Sequence, residues 1–496
     1  MATKRTDSVT ILLPNQLFKK TPATERVILV EDTLFFKDTQ YPIDIHVNRL
    51  VLHRASMKSY EQYLVKRGHT VTYLDYQADK TIGLIIAELG VSHITMYDPV
   101  DFTLEKRIGS ACSKHSIELK VLDNPLFINT QQENEDFFKT KKMRMGSFYK
   151  HQRIKLDLLV SDGEPAGDKW SFDDHNRKKI PNKEIPEIPQ DPPASQNPFV
   201  EEARIYISEK FPDARGTSKH FFYPVNHAEA NAWYKEFLKE KFAQFGPYED
   251  AIVKDSSFLY HSVLSPLLNI GLIDPLAAVS EAFEFFEKNT ETIALATIEG
   301  FMRQIIGWRE FMRAVYVRDG VALRNANDWN QTRELPQSLY DGTTGLDPLD
   351  DAINGALKFG YSHHIERLMV IGNALFLTGI KPTAVYTWFM EMYVDAYDWV
   401  MVSNVYGMSQ DTIDGQITTK PYFSGSNYIK KMSNYKDGEW AKTWDALYWG
   451  FIIDNQKRLA GNARWAFMVS MAQKMVSKKR EDYLTLRDDF IKCLYE

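Results

Sequence analysis

Short β-type runs alternate with helical patterns over residues 1–125, and nothing after residue 199 repeats that alternation. The runs fall at 9–13, 26–30, 70–74, 93–97 and 117–122. Helical patterns at 47–67, 81–89 and 104–113 separate the later ones, and Gly68 stands where a C-cap glycine belongs. Such alternation predicts an α/β domain with a parallel, Rossmann-like sheet, helices on both faces and ligand loops at the carboxyl ends of the strands. Those loops include Pro14-Asn15-Gln16 and Glu31-Asp32. Neither GxGxxG nor GxxxxGK[ST] follows any strand, so a standard dinucleotide or P-loop site is not indicated.

Six prolines (Pro181, Pro186, Pro189, Pro192, Pro193 and Pro198) then remove backbone donors and break helices, which marks a linker. Beyond it helical periodicity takes over, at 230–245, 276–288, 298–316 and 365–377, with Pro382 at a helix start. The expected organisation is an α/β domain over 1–130, a basic connector over 131–198 and an all-helical domain over 199–496.

Charge and cysteines narrow the function classes. The net charge is −6, which does not favour non-specific binding to nucleic acid. Residues 139–183 nevertheless hold twelve Lys/Arg against six Asp/Glu, either a solvated linker or a local phosphate-binding face. Cys112 and Cys493 allow one bridge at most and exclude a four-thiolate metal site. No run of about 18 apolar residues offers a membrane span, and the first residues show no leader pattern. A cytoplasmic monomer is expected.

Five runs in the second half carry the chemistry. EGFMRQIIGWREF at 299–311 sets Trp308 and Arg309 at helical spacing, a pattern that serves core packing as readily as a site. YHSVLSP at 260–266 puts hydroxyls at a helix start, where donors and the dipole favour an anion. YSHHIERLMVIGN at 361–373 holds His363 and His364, which as neighbours on a helix do not share a face and make a poor metal pair. A histidine there serves as general acid or base, or as part of a buried structural pair. WFMEMYVDAYDW at 388–399 with SNVYGMSQ at 403–410, and TKPY at 419–422 with GSNYI at 425–429, complete the set.

These runs, in this order, resemble the photolyase/cryptochrome superfamily and its prokaryotic iron–sulfur branch, the bacterial (6-4) photolyase group. The likeness is strong over 251–452 and faint before 130. It implies bound FAD, with Trp308 and Arg309 alongside it and His261, Ser262, Val263, Leu264 and Ser265 at its diphosphate. It puts Asp395 near the isoalloxazine in a salt bridge to Arg309, and Asn404 at the flavin edge. It makes Trp388 and Tyr340 electron carriers, His364 the proton-transfer residue, His363 its orienter and Tyr422 part of a lesion pocket. It further implies a ribityl-lumazine antenna near Asn15 and Glu31, and a Mg²⁺ at Asp173. UV-damaged DNA is the implied partner, its phosphates met by Lys141, Lys142, Arg144 and Arg153 of the basic segment.

The chain also departs from that branch. The four cluster cysteine positions read Pro348, Lys436, Glu439 and Lys442, so no iron–sulfur cluster is expected, and packing of Trp440, Trp444 and Trp449 is expected to hold that region instead. Phe389 replaces a path tyrosine, Met401 an acid facing the flavin and His261 a threonine. In the antenna loop Asn15 replaces an Asp. The expected function is blue-light-driven repair, with reduced FAD passing an electron to a flipped-out lesion, a (6-4) photoproduct in view of the histidine pair. The alternative is a cryptochrome-type blue-light receptor without repair, which the altered electron path permits and the absence of a long tail after the helical half disfavours.

Overall fold

The computed structural model describes residues 6–181, 188–418 and 422–496. Five β-rich runs form β1 (Thr6–Leu12), β2 (Arg26–Val30), β3 (Thr70–Leu74), β4 (Val91–Tyr97) and β5 (Glu118–Leu122), all parallel, in the order β3-β2-β1-β4-β5. Between them lie α1 (Val47–Val65), α2 (Ile82–Glu88) and α3 (Phe102–Lys114). The sheet grows one way through α1 and the other way through α2 and α3. Right-handed crossovers therefore put α1 on one face and the mutually packed α2 and α3 on the other. Val9–Leu12 of β1 and Val27–Val30 of β2 are buried, as a two-sided sheet requires. Gly68 follows α1 with φ +88°, a left-handed turn that an L side chain resists.

In the 131–198 connector, residues 182–187 lie outside the described residues. The connector carries α4 (Gln131–Phe138), opened by a Thr130/Glu133 capping box, and α5 (Met145–Leu156), which packs along the segment Arg303–Arg309. The rest of the chain is helical, with isolated bridges in place of strands. Pro382 opens the helix Pro382–Met392, its missing N–H costing nothing in the first turn. Among the described residues no helix is long and apolar enough to cross a membrane.

Among the described residues three helical stretches are wound wide, as π-helix: Arg303–Arg309, Glu366–Gly372 and Val402–Ser409. Such turns are energetically poor alone and gather at functional sites. Two of them meet at Gly372, where a Cβ would stand 2.3 Å from Ser409 Oγ.

The cluster region is filled by aromatic rings. Trp440 and Trp444 are buried with rings 6.4 Å apart, and their indole N–H groups donate to Lys436 O (2.9 Å) and Ser424 O (3.0 Å). Trp449 stacks on Tyr483. Pro348 opens the helix Asp347–Phe359, while Lys436, Glu439 and Lys442 are exposed, the last two paired at 2.6 Å. Cys112 lies buried in α3 and Cys493 exposed in the last helix. None of these donors fits an iron–sulfur cluster.

Candidate functional site

The three π-helical stretches and the loop before Ser265 enclose a cavity of about 320 Å³, within the roughly 300–1,000 Å³ typical of small-ligand sites. Its wall includes His261, Ser262, Val263, Leu264, Ser265, Trp308, Arg309, Asp395 and Asn404, together with His364, Phe389, Trp399 and Met401. Residues scattered over more than a hundred positions are brought to one surface, among them Trp308, Arg309 and Asn404 from the π-helical stretches. Val263 holds φ +53°, a strained conformation for a β-branched residue.

The electrostatics centre on Asp395. Its carboxylate accepts from Arg367 Nη1 (2.8 Å) and Nη2 (3.2 Å) and from Ser265 Oγ (2.5 Å). The expected salt bridge to Arg309 is therefore corrected: the partner is Arg367, one turn after His363. Arg309 instead donates to Asn269 Oδ1 and to Leu126 O (3.2 Å), with its guanidinium 4.8 Å from the Trp399 ring centre. Asn269 in turn donates to Asp395 O at 2.9 Å, so one amide links the two residues. Burial lowers the Arg309 guanidinium to about 10, which leaves it charged at neutral pH. Sequence reasoning assigned no role to Asn269 or Arg367. The signal for Arg367 was its place in the 361–373 run, on the same helical turn as the histidines.

His363 and His364 part company. His363 is buried and stacks face to face on His261, rings 4.7 Å apart and 10° from parallel. Its Nε2 stands 3.7 Å from Glu366 Oε2, too far for a hydrogen bond. Burial pushes the Glu366 carboxyl up to about 8 and His363 well down, so both are neutral at pH 7 and the contact is not an ion pair. His364 opens into the cavity with its ring accessible. The surrounding walls, and then Arg367, lower it to about 4, so it enters the site as a neutral imidazole. Tyr422 is half-buried beside the cavity, near Arg177, Asp173 and Asp250, and burial raises its phenol. Its preceding residues Thr419, Lys420 and Pro421 lie outside the described residues.

A carboxyl the sequence did not flag, Glu249, also lines the cavity. It accepts from Gln304 Nε2 (2.6 Å) and Asn176 Nδ2 (3.2 Å), and burial raises it to about 7.

Several expected roles are taken by internal partners. The Asp173 carboxylate, 43% exposed, is paired with Arg303 (3.0 Å) and with Arg177, two guanidiniums that compete with a Mg²⁺ for its oxygens. Among the described residues no cluster of three His, Cys, Asp or Glu side chains is set to hold a metal. Glu31 accepts from Arg54 Nη1 (2.9 Å), Tyr73 OH (2.6 Å), Tyr76 N (2.9 Å) and Tyr206 OH (2.9 Å). With those acceptor sites filled it ties the sheet to α1 and the helix Pro198–Lys210 and does not fit a lumazine. Asn15 is buried too. Neither lines the wide cleft of about 1460 Å³ between α1 and the helical half. Ser265 opens a helix of five residues, Ser265–Asn269, too short for much dipole, and its hydroxyl is engaged by Asp395.

Of the basic residues, Lys141, Lys142 and Arg144 are exposed at the start of α5, where Arg144 also donates to Gln416 O (2.9 Å). Arg153 is fully buried. It donates to the carbonyls of Leu158, Leu159 and Trp170, and it cannot meet a phosphate. Trp388 is buried next to Phe389 (rings 5.4 Å apart), and it is Phe389 that reaches the cavity. Tyr340 is half-buried on the short helix Ser338–Asp341.

The family model for deoxyribodipyrimidine photo-lyase-related proteins matches residues 10–223. Over 507 aligned residues the chain is 29% identical to a (6-4) photolyase of Agrobacterium fabrum, spanning 98% of this chain and 99% of the relative. The fold is similar to that of a bacterial class III photolyase from Agrobacterium tumefaciens, with a TM-score of 0.55 at 15% identity over 99% of each chain. It is also similar to an archaeal photolyase from Sulfolobus tokodaii, crystallised with two FAD molecules, with a TM-score of 0.53 at 13% identity over 99% of each chain. Five-stranded parallel sheet, helical second half and full-length sequence likeness agree: the chain belongs to the photolyase/cryptochrome superfamily.

Proposed function

We propose that this protein is an FAD-dependent, blue-light-driven DNA photolyase acting on (6-4) photoproducts. The observation that carries the reading is the cavity. The residues expected to hold a flavin line one wall system, and His364 opens into the same space. The wall chemistry fits such a ligand. His261 Nε2, Arg309 Nε and Trp399 Nε1 are buried on it without a protein partner, and buried polar atoms of that kind call for a polar planar guest.

When bound, reduced FAD supplies the excited electron. The chain's own residues do the rest. Arg309 and the Arg367–Asp395 pair set a fixed charge pattern along the ring. The backbone around Ser262 and Val263 would hold the diphosphate. Phe389, Trp399 and Met401 exclude water. His364, neutral and exposed to the cavity, exchanges a proton with the extruded base, while His363 braces it through the stack on His261. Tyr422 borders the lesion, and Lys141, Lys142 and Arg144 hold flanking phosphates. A damaged, poorly stacked base is the cheapest to extrude, which favours lesions over intact DNA.

The test is a lesion-resolved repair assay. Duplexes carrying one (6-4) photoproduct or one cyclobutane dimer are incubated with reduced protein, in blue light and in the dark. Loss of the (6-4) product in light alone is the expected result. If neither lesion disappears in light, the protein is not a repair enzyme and the blue-light receptor reading takes its place.

A further inference from the structure

The rim of the cavity holds a group of ions that the flavin reading does not use. The turn Asp173–His175 folds the chain back, so that Arg177 reaches Asp173 and its Nη2 donates to Asp173 Oδ2. The Nε of the same guanidinium stands 3.7 Å from Oδ2 of Asp250, a residue of the cavity wall. One planar cation thus faces two carboxylates from separate segments. Arg303 meets Asp173 from the buried side, with Nη1 3.0 Å from Asp173 Oδ1 and Nε 3.2 Å from Glu299 Oε1. The Arg303 side chain is 4% exposed and that of Arg177 57%, so Arg177 is the cation whose place an ion from solvent would take.

The two carboxylates are brought together by more than Arg177. Before it, Asn176 Nδ2 donates to Glu249 Oε2 (3.2 Å), and after it, Lys178 N donates to Pro247 O (3.0 Å). Phe172 N donates to Glu299 Oε2 at 2.9 Å. These bonds clamp 172–178 against 247–249 and so keep Asp173 beside Asp250 whatever side chain stands at position 177. Like charges held close repel, and a cation between them removes the repulsion.

We propose that the Arg177 guanidinium is the built-in cation of this rim: it bridges Asp173 and Asp250 where the family resemblance puts Mg²⁺, and the protein binds no divalent ion there. Arg177 is a positioning residue, acting through two carboxylates of which one lies on the cavity wall. A guanidinium presents planar, fixed N–H donors that suit carboxylates, whereas Mg²⁺ demands a near-octahedral oxygen shell. Asp173 is already engaged by two arginines, and no cluster of three His, Cys, Asp or Glu side chains stands ready for a metal among the described residues. The converse also holds. A neutral side chain at 177 leaves the same two carboxylates one cation short and open to solvent, and a hydrated Mg²⁺ carried by one or two carboxylates then fits. Neither the ion pair nor the metal requires a bound flavin, so the outcome is independent of the photolyase reading.

Full-length protein, stripped with EDTA and desalted, is titrated at neutral pH with Mn²⁺, whose free ion electron paramagnetic resonance counts and which stands in for Mg²⁺. The wild type is expected to show no Mn²⁺ site that responds to Asp173→Asn or Asp250→Asn. Arg177→Gln gains one, about tenfold or more tighter than any wild-type site, and Mg²⁺ competes for it. Adding Asp250→Asn to Arg177→Gln removes that site, and Arg177→Lys, which keeps a cation, gains none. Melting curves give a second readout: Mg²⁺ raises the Tm of Arg177→Gln and leaves those of the wild type and Arg177→Lys unchanged. Arg177→Ala serves as a second neutral variant should the glutamine not melt cooperatively, and the wild-type titration needs neither. A wild-type Mn²⁺ site abolished by Asp173→Asn or Asp250→Asn overturns the proposal, because a metal then holds the rim. Neutral variants that melt like the wild type and gain no site also overturn it, because the two carboxylates then need no cation between them.

Discussion

The exchange of partners around Asp395 is open to a double-mutant cycle. Asp395 and Arg367 meet at 2.8 and 3.2 Å with side chains 7% and 15% exposed, so removing one leaves the other as a largely buried, uncompensated charge. Breaking such a pair costs roughly 3–5 kcal/mol. Asp395→Asn and Arg367→Gln should each destabilise the flavin-free protein by about that much. The double variant should lose less than their sum, giving a coupling of roughly 2–3 kcal/mol, at the upper end for residues in contact. Arg309 reaches Asp395 only through Asn269. The parallel cycle with Arg309→Gln, where the two residues share one amide but no direct bond, should therefore show a smaller coupling of about 0.5–1 kcal/mol, at the lower end for members of one hydrogen-bond network. Urea unfolding followed by far-UV circular dichroism measures both, and removing flavin keeps ligand linkage out of the numbers. Coupling to Arg309 equal to or larger than coupling to Arg367 would refute the assignment of Arg367 as the partner.

Four further outcomes are expected. His364→Ala should lower lesion repair by roughly 10²–10⁴-fold, the usual worth of a general acid or base, while bound flavin and melting temperature stay at wild-type values, since the side chain faces the open cavity; loss of flavin instead would make it a cofactor ligand. Replacing Lys141, Lys142 and Arg144 by Ala should reduce the salt dependence of DNA binding by about 2–3 charges, read from affinity against salt concentration. Arg153→Met should leave that slope alone and cost about 3 kcal/mol in urea unfolding, because it strips charged donors from buried carbonyls. Burial lowers His46 to about 4 and His53 to about 3. The native state therefore binds fewer protons than the unfolded chain between those values and about 6.5, and each histidine removes up to roughly 1.4 kcal/mol per pH unit as pH falls through that window. His53→Gln should show a shallower loss of stability from pH 6.5 to 4 than the wild type in the same unfolding assay; an equal slope would mean that His53 is protonated in the native state.

What the sequence made legible was periodic. β-branched runs and their separating helices mark the sheet to within a few residues, since a two-sided parallel sheet needs continuous apolar strands. Pro382 marks its helix start for a backbone reason. Pairings were less legible. The π-helical turns are invisible to a 3.6-residue pattern, because 298–316 reads as one helix when its middle, Arg303–Arg309, is wound wide. Arg367 and Arg309 both sit in motif runs, and composition does not say which of two arginines a carboxylate chooses. Asn269, which decides it by occupying Arg309, lies just past the YHSVLSP run. Charge runs mislead in a similar way. Arg153 belongs by sequence to a basic surface, yet the carbonyls of Leu158, Leu159 and Trp170 hold it inside. Glu31 and Asp173 look like free ligands in sequence; in the fold Glu31 accepts four hydrogen bonds and Asp173 is paired with two arginines.

One spectrum bears most directly on all of this. Protein purified in the dark, or reconstituted with FAD and passed through a desalting column, should keep about one flavin per chain and show the structured blue absorbance of a flavin in a rigid, water-poor site. Disrupting the wall by Arg309→Gln or Asp395→Asn should weaken or abolish retention. A wild-type protein that folds, melts cooperatively and stays colourless after reconstitution would mean that the cavity between the three π-helical turns is not a flavin site.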